Sequence, residues 1–427
     1  MTEAQQATQH TPLHAEHVKL GATFTDFGGW DMPLKYGSEL AEHRAVREAA
    51  GLFDLSHMGE IWVEGPDAVP FLNTALVGDL GKIAVGRAKY SLICDERGGI
   101  IDDLITYRLG DQRFLVVPNA GNALVVAREF AERAAGFEVS VTDASAITSL
   151  IAVQGPASAQ IVRELILGGA GSGLGAGLGL GAGDGGTGAD EGAPVVNSPA
   201  AGADPAEFAD PADPAEFAER VSALRYYACT EALVGGVAVL IARTGYTGED
   251  GFELYVPNER AAELWAALLA AEEPYGLIPA GLASRDSLRL EAGMPLYGNE
   301  LSLEMTPFEA GLGAVVSFAK EEAFIGREAL ERVKEQGPRL MLVGLRGSGR
   351  RAGRGGYLVY PGDAAISARP AIGRITSGQP SPTLGTPIAL AYVDPEYVEI
   401  GTSVNVDLRG KLEPFEVVAL PFYRRPA

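Results

Sequence analysis

The sequence predicts an α+β protein that ends in a small antiparallel β-barrel or sandwich. Three observations carry this. Hairpin patterns alternate with amphipathic helical patterns over residues 11–336, short strands punctuated by Gly and Pro fill 337–427, and a Gly-rich, acidic stretch interrupts the middle.

From residue 11 to 76 helix-like and strand-like patterns mix around two marked runs, DFGGWDMPLKY at 26–36 and GLFDLSHMGE at 51–60. Residues 40–50 have helical composition, and a strand opening at Ile61 is stopped by Gly65 and Pro66. His57 has no Ser or Cys nucleophile motif beside it, so it reads as a neutral histidine packed in the core.

The run YSLICDERGGIIDDLITYR, 90–108, parses as a hairpin. Residues 90–94 are β-branched and aromatic, 95–99 supply turn chemistry with two glycines, and 100–108 form the return strand; 113–117 continue the meander. Alternation puts Asp102, Leu104, Thr106 and Arg108 on the more polar side and Ile101, Asp103, Ile105 and Tyr107 on the more apolar one. Asp103 therefore lies among core-type neighbours, where a carboxylate costs several kcal/mol unless paired, hydrogen-bonded or neutralised. Either it serves a chemical purpose or it caps a backbone amide at a strand end.

An amphipathic helix follows at 123–135 and a strand at 147–153; Pro156 suits the first turn of a helix reaching about Leu167. The stretch 168–220 then reads as a disordered insert. Its glycines fall at dinucleotide-loop spacing, but no strand precedes them and no helix follows; a repeated Pro-Ala-Glu-Phe unit continues the segment, which is acidic. Order resumes at Tyr226 and Tyr227, and 237–243 with 252–256 form a hairpin around GYTGEDG. Phe252, Leu254 and Val256 make its apolar face, so periodicity sends Glu253 to solvent. Helices are expected at 261–271 and 282–292. In the second, Arg285 shares a face with Leu282 and Leu288 and reads as a snorkelling arginine. Strands at 340–345, 371–376, 387–393, 403–408 and 415–420 then make the barrel or sandwich.

A length of 427 residues suggests two to three domains. The formal charge of −22 disfavours nucleic acid as a partner, although much of the acidity is local to the insert. The basic run GLRGSGRRAGRGG around Arg346 to Arg354 reads as a solvated turn. Neither the N-terminal segment nor any later run has the pattern of a signal or membrane span, so a cytoplasmic protein without membrane contact is expected. Cys94 and Cys229 lack metal-site or disulfide spacing and read as buried thiols.

Seven collinear runs together resemble the aminomethyltransferase family, the T-protein of the glycine cleavage system. They are TPLHAEHVKLGATFTDFGGWDMPLKY, GLFDLSHMGE, KYSLICDERGGIIDDL, ARTGYTGEDGFELYVP, GLASRDSLRLEAGMPLYGNEL, FIGREAL and TSGQPSPTLG, covering nearly the whole chain outside the insert. The resemblance implies three domains around a central opening that binds tetrahydrofolate: α+β parts at 1–150 and 151–336, with interleaving between them allowed, and a C-terminal β-barrel at 337–427. It implies transfer of the one-carbon unit of aminomethyl-lipoyl H-protein to tetrahydrofolate, with release of ammonia; neither metal nor flavin is expected. By motif, Asp103 matches the catalytic aspartate, Tyr90 a pocket tyrosine, Glu253 a folate-binding glutamate and Arg285 a folate-contacting arginine. Asn119, Tyr226 and Arg424 are similar in weaker contexts, with Arg425 the alternative to Arg424. Related folate-binding proteins that assist iron–sulfur cluster assembly carry a KGCYxGQE run; the equivalent KEEAFIGREAL here lacks the cysteine, which favours the transferase. No strand followed by GxGxxG opens the chain, so no flavin domain of the fused methylamine oxidases is expected.

Overall fold

The computed structural model describes residues 8–168, 214–362 and 370–426. Two β-sheets stack face to face, helices back each on its outer side, and a closed barrel completes the molecule.

The first sheet runs in the order Arg87–Cys94, Ile100–Gly110, Arg113–Pro118, Ile61–Glu64, Ser140–Asp143. Its central hairpin is the one expected from the sequence. Asp95 Oδ1 builds the turn by accepting the backbone amides of Arg97 at 2.9 Å and Gly99 at 2.8 Å. Leu104, Phe114, Val116, Ile61 and Val63 on the outer face pack against Phe71, Leu72, Val126 and Phe130 of helices Ala68–Ala75 and Ala123–Arg133.

The second sheet runs Cys229–Val234, Val237–Ala242, Gly251–Pro257, Thr148–Gln154, Ala50–Asp54, Leu277–Pro279, the last pair parallel. Strand Ala50–Asp54 comes from the N-terminal segment, so the chain enters this sheet before it builds the other. Strand Cys229–Val234 had no counterpart in the sequence reading. It turns into its neighbour through Gly235 and Gly236, both at positive φ (58° and 81°), the pair of left-handed residues that a two-residue hairpin turn requires.

The inner faces meet through Trp62, Tyr107, Leu115 and Val117 of one sheet and Phe53, Leu150, Ala152, Ala242 and Tyr255 of the other. Both faces of each sheet are therefore covered, and this corrects two sequence readings. Asp102 and Thr106, assigned to the more polar side, are both fully buried, because that side is the helix-backed core. Glu253, sent to solvent by alternation, is buried, because its face of the strand looks into the space between the sheets.

The insert reading is corrected at its end. Residues 169–213 lie outside those described, but Pro214–Ser222 is a helix, not a continuation of a disordered stretch. Phe217, Ala218 and Val221 recur at helical spacing and are buried in the core of the second sheet. The second copy of the repeated unit, at 214–217, opens an amphipathic helix.

The barrel is closed in the order Met341–Gly347, Pro387–Val393, Gly373–Pro380, Leu358–Pro361, Ser403–Asp407, Leu412–Val418. Five of its strands were legible. The missed one, Leu358–Pro361, directly follows the basic glycine-rich run, whose Arg350, Arg351 and Arg354 are exposed as expected. Leu345, Val359, Ile375, Ala391, Val404 and Phe415 fill the interior, while Ile388 and Leu390 face outward onto Leu290 of helix Leu282–Glu291. Both cysteines are free and buried. Among the described residues no helix is long and apolar enough to cross a membrane.

Candidate functional site

Asp103 projects from the return strand of the first sheet's hairpin, on the side that faces the second sheet. The Tyr90 hydroxyl on the neighbouring strand donates to Asp103 Oδ2 at 3.0 Å, and Asn119, just past the end of strand Arg113–Pro118, donates through Nδ2 to Oδ1 at 2.8 Å. The same Asn119 amide reaches Asp102 Oδ1 at 2.9 Å and the Asp103 carbonyl at 3.0 Å, so two N–H protons are shared among three acceptors. The Asn119 backbone N–H adds a bond to Asp102 Oδ2 at 2.8 Å, and Asn122 Nδ2 donates to Oδ1 at 2.8 Å. Burial lifts both carboxyls above the usual carboxylate range, and the Asp103 charge lifts Asp102 further, against the pull of these donors. Two such close acids titrate as a unit. Burial and the neighbouring Asp103 likewise push the Tyr90 phenol well up, so it stays a donor.

A second group comes from the other sheet and its flanking helix. Glu253 lies on strand Gly251–Pro257 and accepts from the Thr244 hydroxyl at Oε2. Arg285, from the first turn of helix Leu282–Glu291, lays its guanidinium 4.8 Å from the centre of the Tyr246 ring. Among the described residues that guanidinium has no hydrogen-bond or ion-pair partner. Burial holds its pKa below the ordinary arginine value, with Tyr246 and Glu253 pulling the other way. His57 is buried edge-on to Phe27, its Nδ1 unpartnered. Burial and the Arg285 charge press it down to about 4, so it is neutral at pH 7, as a core histidine should be.

The two groups line one recess. Tyr246 feels both Asp103 and Arg285, and Tyr227 feels both Asp103 and Glu253. Tyr90, Asp103, Arg285 and Glu253 are crowded by protein on most sides, yet all retain some contact with water, which marks a recess and not a sealed core. Tyr227 stands at φ 61°, a left-handed conformation that costs about 1–2 kcal/mol in a non-glycine residue. Its backbone is held there between Ala88 and Arg243, at the junction of the two sheets. Such a strained residue at the edge of a recess was not legible from pattern, and neither was Tyr246. Their only signal was aromatic content beside turn-rich runs.

The remaining expected residues lie at the rim. Tyr226 is half exposed and packs edge-on against Tyr227, within the field of Glu253, Asp250 and Arg425. Arg425 lies 3.6 Å from Asp250, whereas Arg424 is exposed and makes no described contact. The structure thus brings Tyr90, Asp103, Asn119, Glu253 and Arg285 together and places Tyr226 and Arg425 beside them.

Comparison with known proteins follows this geometry. A family model described as the GCVT N-terminal domain matches residues 13–168 and 215–320, and one described as the glycine cleavage T-protein C-terminal barrel domain matches 341–424. The chain is 51% identical over 421 residues to an aminomethyltransferase of Corynebacterium jeikeium, covering 97% of this chain and 98% of that protein. It is 52% identical to one from Streptomyces coelicolor, with 98% of each covered, and 42% identical to one from Moorella thermoacetica, with 97% and 98% covered. Among solved structures, the glycine cleavage system aminomethyltransferase T of Bartonella henselae superposes with a TM-score of 0.79 at 34% identity, over 98% of this chain and 99% of that one.

Proposed function

Given that the chain belongs to the aminomethyltransferase family, the T-protein of the glycine cleavage system, we propose that the recess between its two sheets is where the one-carbon unit changes carriers. Tetrahydrofolate lies in the recess, the aminomethyl-lipoyl arm of H-protein enters from outside, and methylenetetrahydrofolate, ammonia and dihydrolipoyl H-protein leave. The observation that carries this reading is the coincidence, in one recess, of the Asp103 carboxyl, raised to about 6, and a guanidinium, that of Arg285, with no hydrogen-bond or ion-pair partner among the described residues. An unpaired cation withdrawn from water is costly, and an acceptor-rich ligand relieves it. Tetrahydrofolate offers acceptors for the planar fork of Arg285 and adjacent N–H donors for the carboxylate of Glu253.

The proton balance supports Asp103 as the central group. Two bonds to the transferred carbon break, to nitrogen and to sulfur, and two form, to the folate nitrogens. The two protons those nitrogens release are the two that ammonia and the thiol carry away. A carboxyl with a raised pKa can take one and return it, and Tyr90 and Asn119 fix its orientation. No electrons change hands in this balance, so we propose no flavin for it; we propose no metal either, since the folate and lipoyl groups supply the nucleophile and leaving group. The folate is the nucleophile and the lipoyl sulfur a leaving group, which leaves alignment and exclusion of water to the protein. Tyr226 and a C-terminal arginine, Arg424 or Arg425, are assigned to the folate rim, and the protein to the cytoplasm.

The deciding assay follows methylenetetrahydrofolate formation from aminomethyl-loaded H-protein, with and without tetrahydrofolate, for the natural protein and for Asp103→Asn. Folate-dependent product that collapses in the variant is expected. Folate binding without product from either protein would instead point to a non-catalytic folate-binding role.

A further inference from the structure

A chain of three buried hydroxyls crosses from one sheet to the other and stops on Glu253. Thr244 Oγ1 donates to Glu253 Oε2, Tyr107 OH lies 3.1 Å from Thr244 Oγ1, and Tyr255 OH lies 3.3 Å from Tyr107 OH. Tyr107 is fully buried, Thr244 is 1% exposed and Tyr255 5% exposed. The carboxylate sets the direction of the whole chain. Thr244 has one proton and spends it on Glu253, so it can only accept from Tyr107; Tyr107 has then spent its own proton and can only accept from Tyr255. Each donor strengthens the next.

The placement of these residues ties the chain to the site. Tyr107 stands four residues beyond Asp103 on the same strand and face, and Tyr255 stands two beyond Glu253 on its strand and face. The hydroxyls therefore join the strand that carries Asp103 to the strand that carries Glu253.

We infer that Tyr107, acting through Thr244, is a positioning residue that occupies one oxygen of Glu253 and keeps that group an acceptor, leaving its other oxygen for the adjacent N–H donors of the folate ring. The inference rests on the assignment of Glu253 to the folate site. Burial raises the Glu253 pKa, and the Thr244 and Tyr107 hydroxyls and the Arg285 charge oppose it; Tyr226, Tyr227 and Tyr255 are the other titratable groups that face it. Without the chain, the acceptor form is harder to maintain.

The test compares Tyr107→Phe, Thr244→Val, Thr244→Ser and Glu253→Gln in the full-length protein, reading tetrahydrofolate KM, kcat and the pH profile of kcat/KM. Tyr107→Phe and Thr244→Val are expected to raise the folate KM by about tenfold, the worth of one hydrogen bond to a charged group, while kcat falls less. They should also move the acidic limb to higher pH. Thr244→Ser, which keeps the hydroxyl, should behave as the natural protein. An unchanged folate KM and acidic limb in Tyr107→Phe overturns the proposal even where thermal stability falls, since a purely structural role would lower stability alone. If Glu253→Gln loses folate affinity while Tyr107→Phe does not, only the positioning role fails; if Glu253→Gln loses none, the folate assignment of Glu253 fails and the proposal with it.

Discussion

Asp102 and Asp103 point to opposite faces of one strand yet share a single donor, the side-chain amide of Asn119, at 2.9 and 2.8 Å. Asp102 is fully buried and Asp103 keeps contact with water, so the charge or proton on the recess side is felt by a carboxyl sealed from solvent. Asp103→Asn preserves shape and lets the Tyr90 hydroxyl turn to remain bonded. Turnover is expected to fall by about two to four orders of magnitude, the range for losing a positioned acid–base group. Thermal stability should not fall with it, because a carboxylate lifted by burial is a destabilising group in its charged form. Near-normal turnover in this variant would remove Asp103 from the mechanism.

Asn119→Ala tests the shared donor. The bonds from Asn119 favour the ionised forms, so their loss raises both carboxyl pKa values further above the ordinary 3.8. If the ionised Asp103 is the proton acceptor, the acidic limb of kcat/KM moves up by about one pH unit. An acidic limb that stays in place, or moves down, would disconnect Asn119 from the titration.

Arg285 sets function against stability. Its guanidinium lies in the recess against the Tyr246 ring, within the field of Glu253 but with no hydrogen-bond or ion-pair partner among the described residues, so the folded protein without ligand bears a poorly compensated cation. Arg285→Met is expected to raise the tetrahydrofolate KM by about 10- to 100-fold. The same change should leave Tm unaltered or raise it by about 1–4 °C. A clear drop in Tm measured without folate would mean that the guanidinium is already satisfied in the free protein.

These residues differ in how far the sequence disclosed them. Asp103 was legible because its strand neighbours Ile101, Ile105 and Tyr107 are apolar, and a carboxylate in that company is an anomaly on any reading. Glu253 was singled out by its motif and not by alternation, which describes one strand and knows nothing of the second sheet that covers its polar face. Pattern hid Arg285 behind the ordinariness of an arginine on a helix face, and the motif alone marked it in the sequence; its lack of hydrogen-bond or ion-pair partners among the described residues is a three-dimensional fact. The barrel strand Leu358–Pro361 was masked by the glycines before it, and helix Pro214–Ser222 by the repeat it belongs to. Local pattern located the hairpins, helices and most barrel strands, while burial was set by packing between elements far apart in sequence.

Glu291 was missed altogether, and it clamps the barrel to the sheets. It is fully buried, accepts from Arg47 Nη2 at 2.8 Å and Thr383 Oγ1 at 2.7 Å, takes the Ser381 hydroxyl, and lies 3.2 Å from His43 Nε2. Burial pushes its pKa up, but His43, Ser381 and the Thr383 backbone outweigh it and hold the carboxyl at about 2, against an ordinary 4.5. The folded value lies below the unfolded one, so this stabilisation is fully present above about pH 4.5 and is lost as pH falls through 2; its size is on the order of 3 kcal/mol. Glu291→Gln should lower Tm at pH 7, and the gap from the natural protein should close as pH drops from 5 towards 2. A gap that stays constant over that range would show that the charge of Glu291 is not what stabilises the clamp.

The boundary of the insert gives the last test. Phe217, Ala218 and Val221 pack helix Pro214–Ser222 into the core of the second sheet, against helix Ser158–Gly168, so residues 214–220 belong to the core and not to the insert. Removing 169–213 and joining the ends with a short Gly/Ser linker is expected to leave Tm and transfer activity close to those of the natural protein. Extending the deletion to 222 strips three buried side chains from the core, and Phe217→Ala alone should cost about 3–5 kcal/mol. The two deletions must therefore diverge in Tm. If the shorter one already unfolds the protein, the segment 169–213 contributes to the fold; if it keeps Tm but loses transfer from H-protein, the segment contributes to docking; and if the longer one is harmless, the helix is not part of the core.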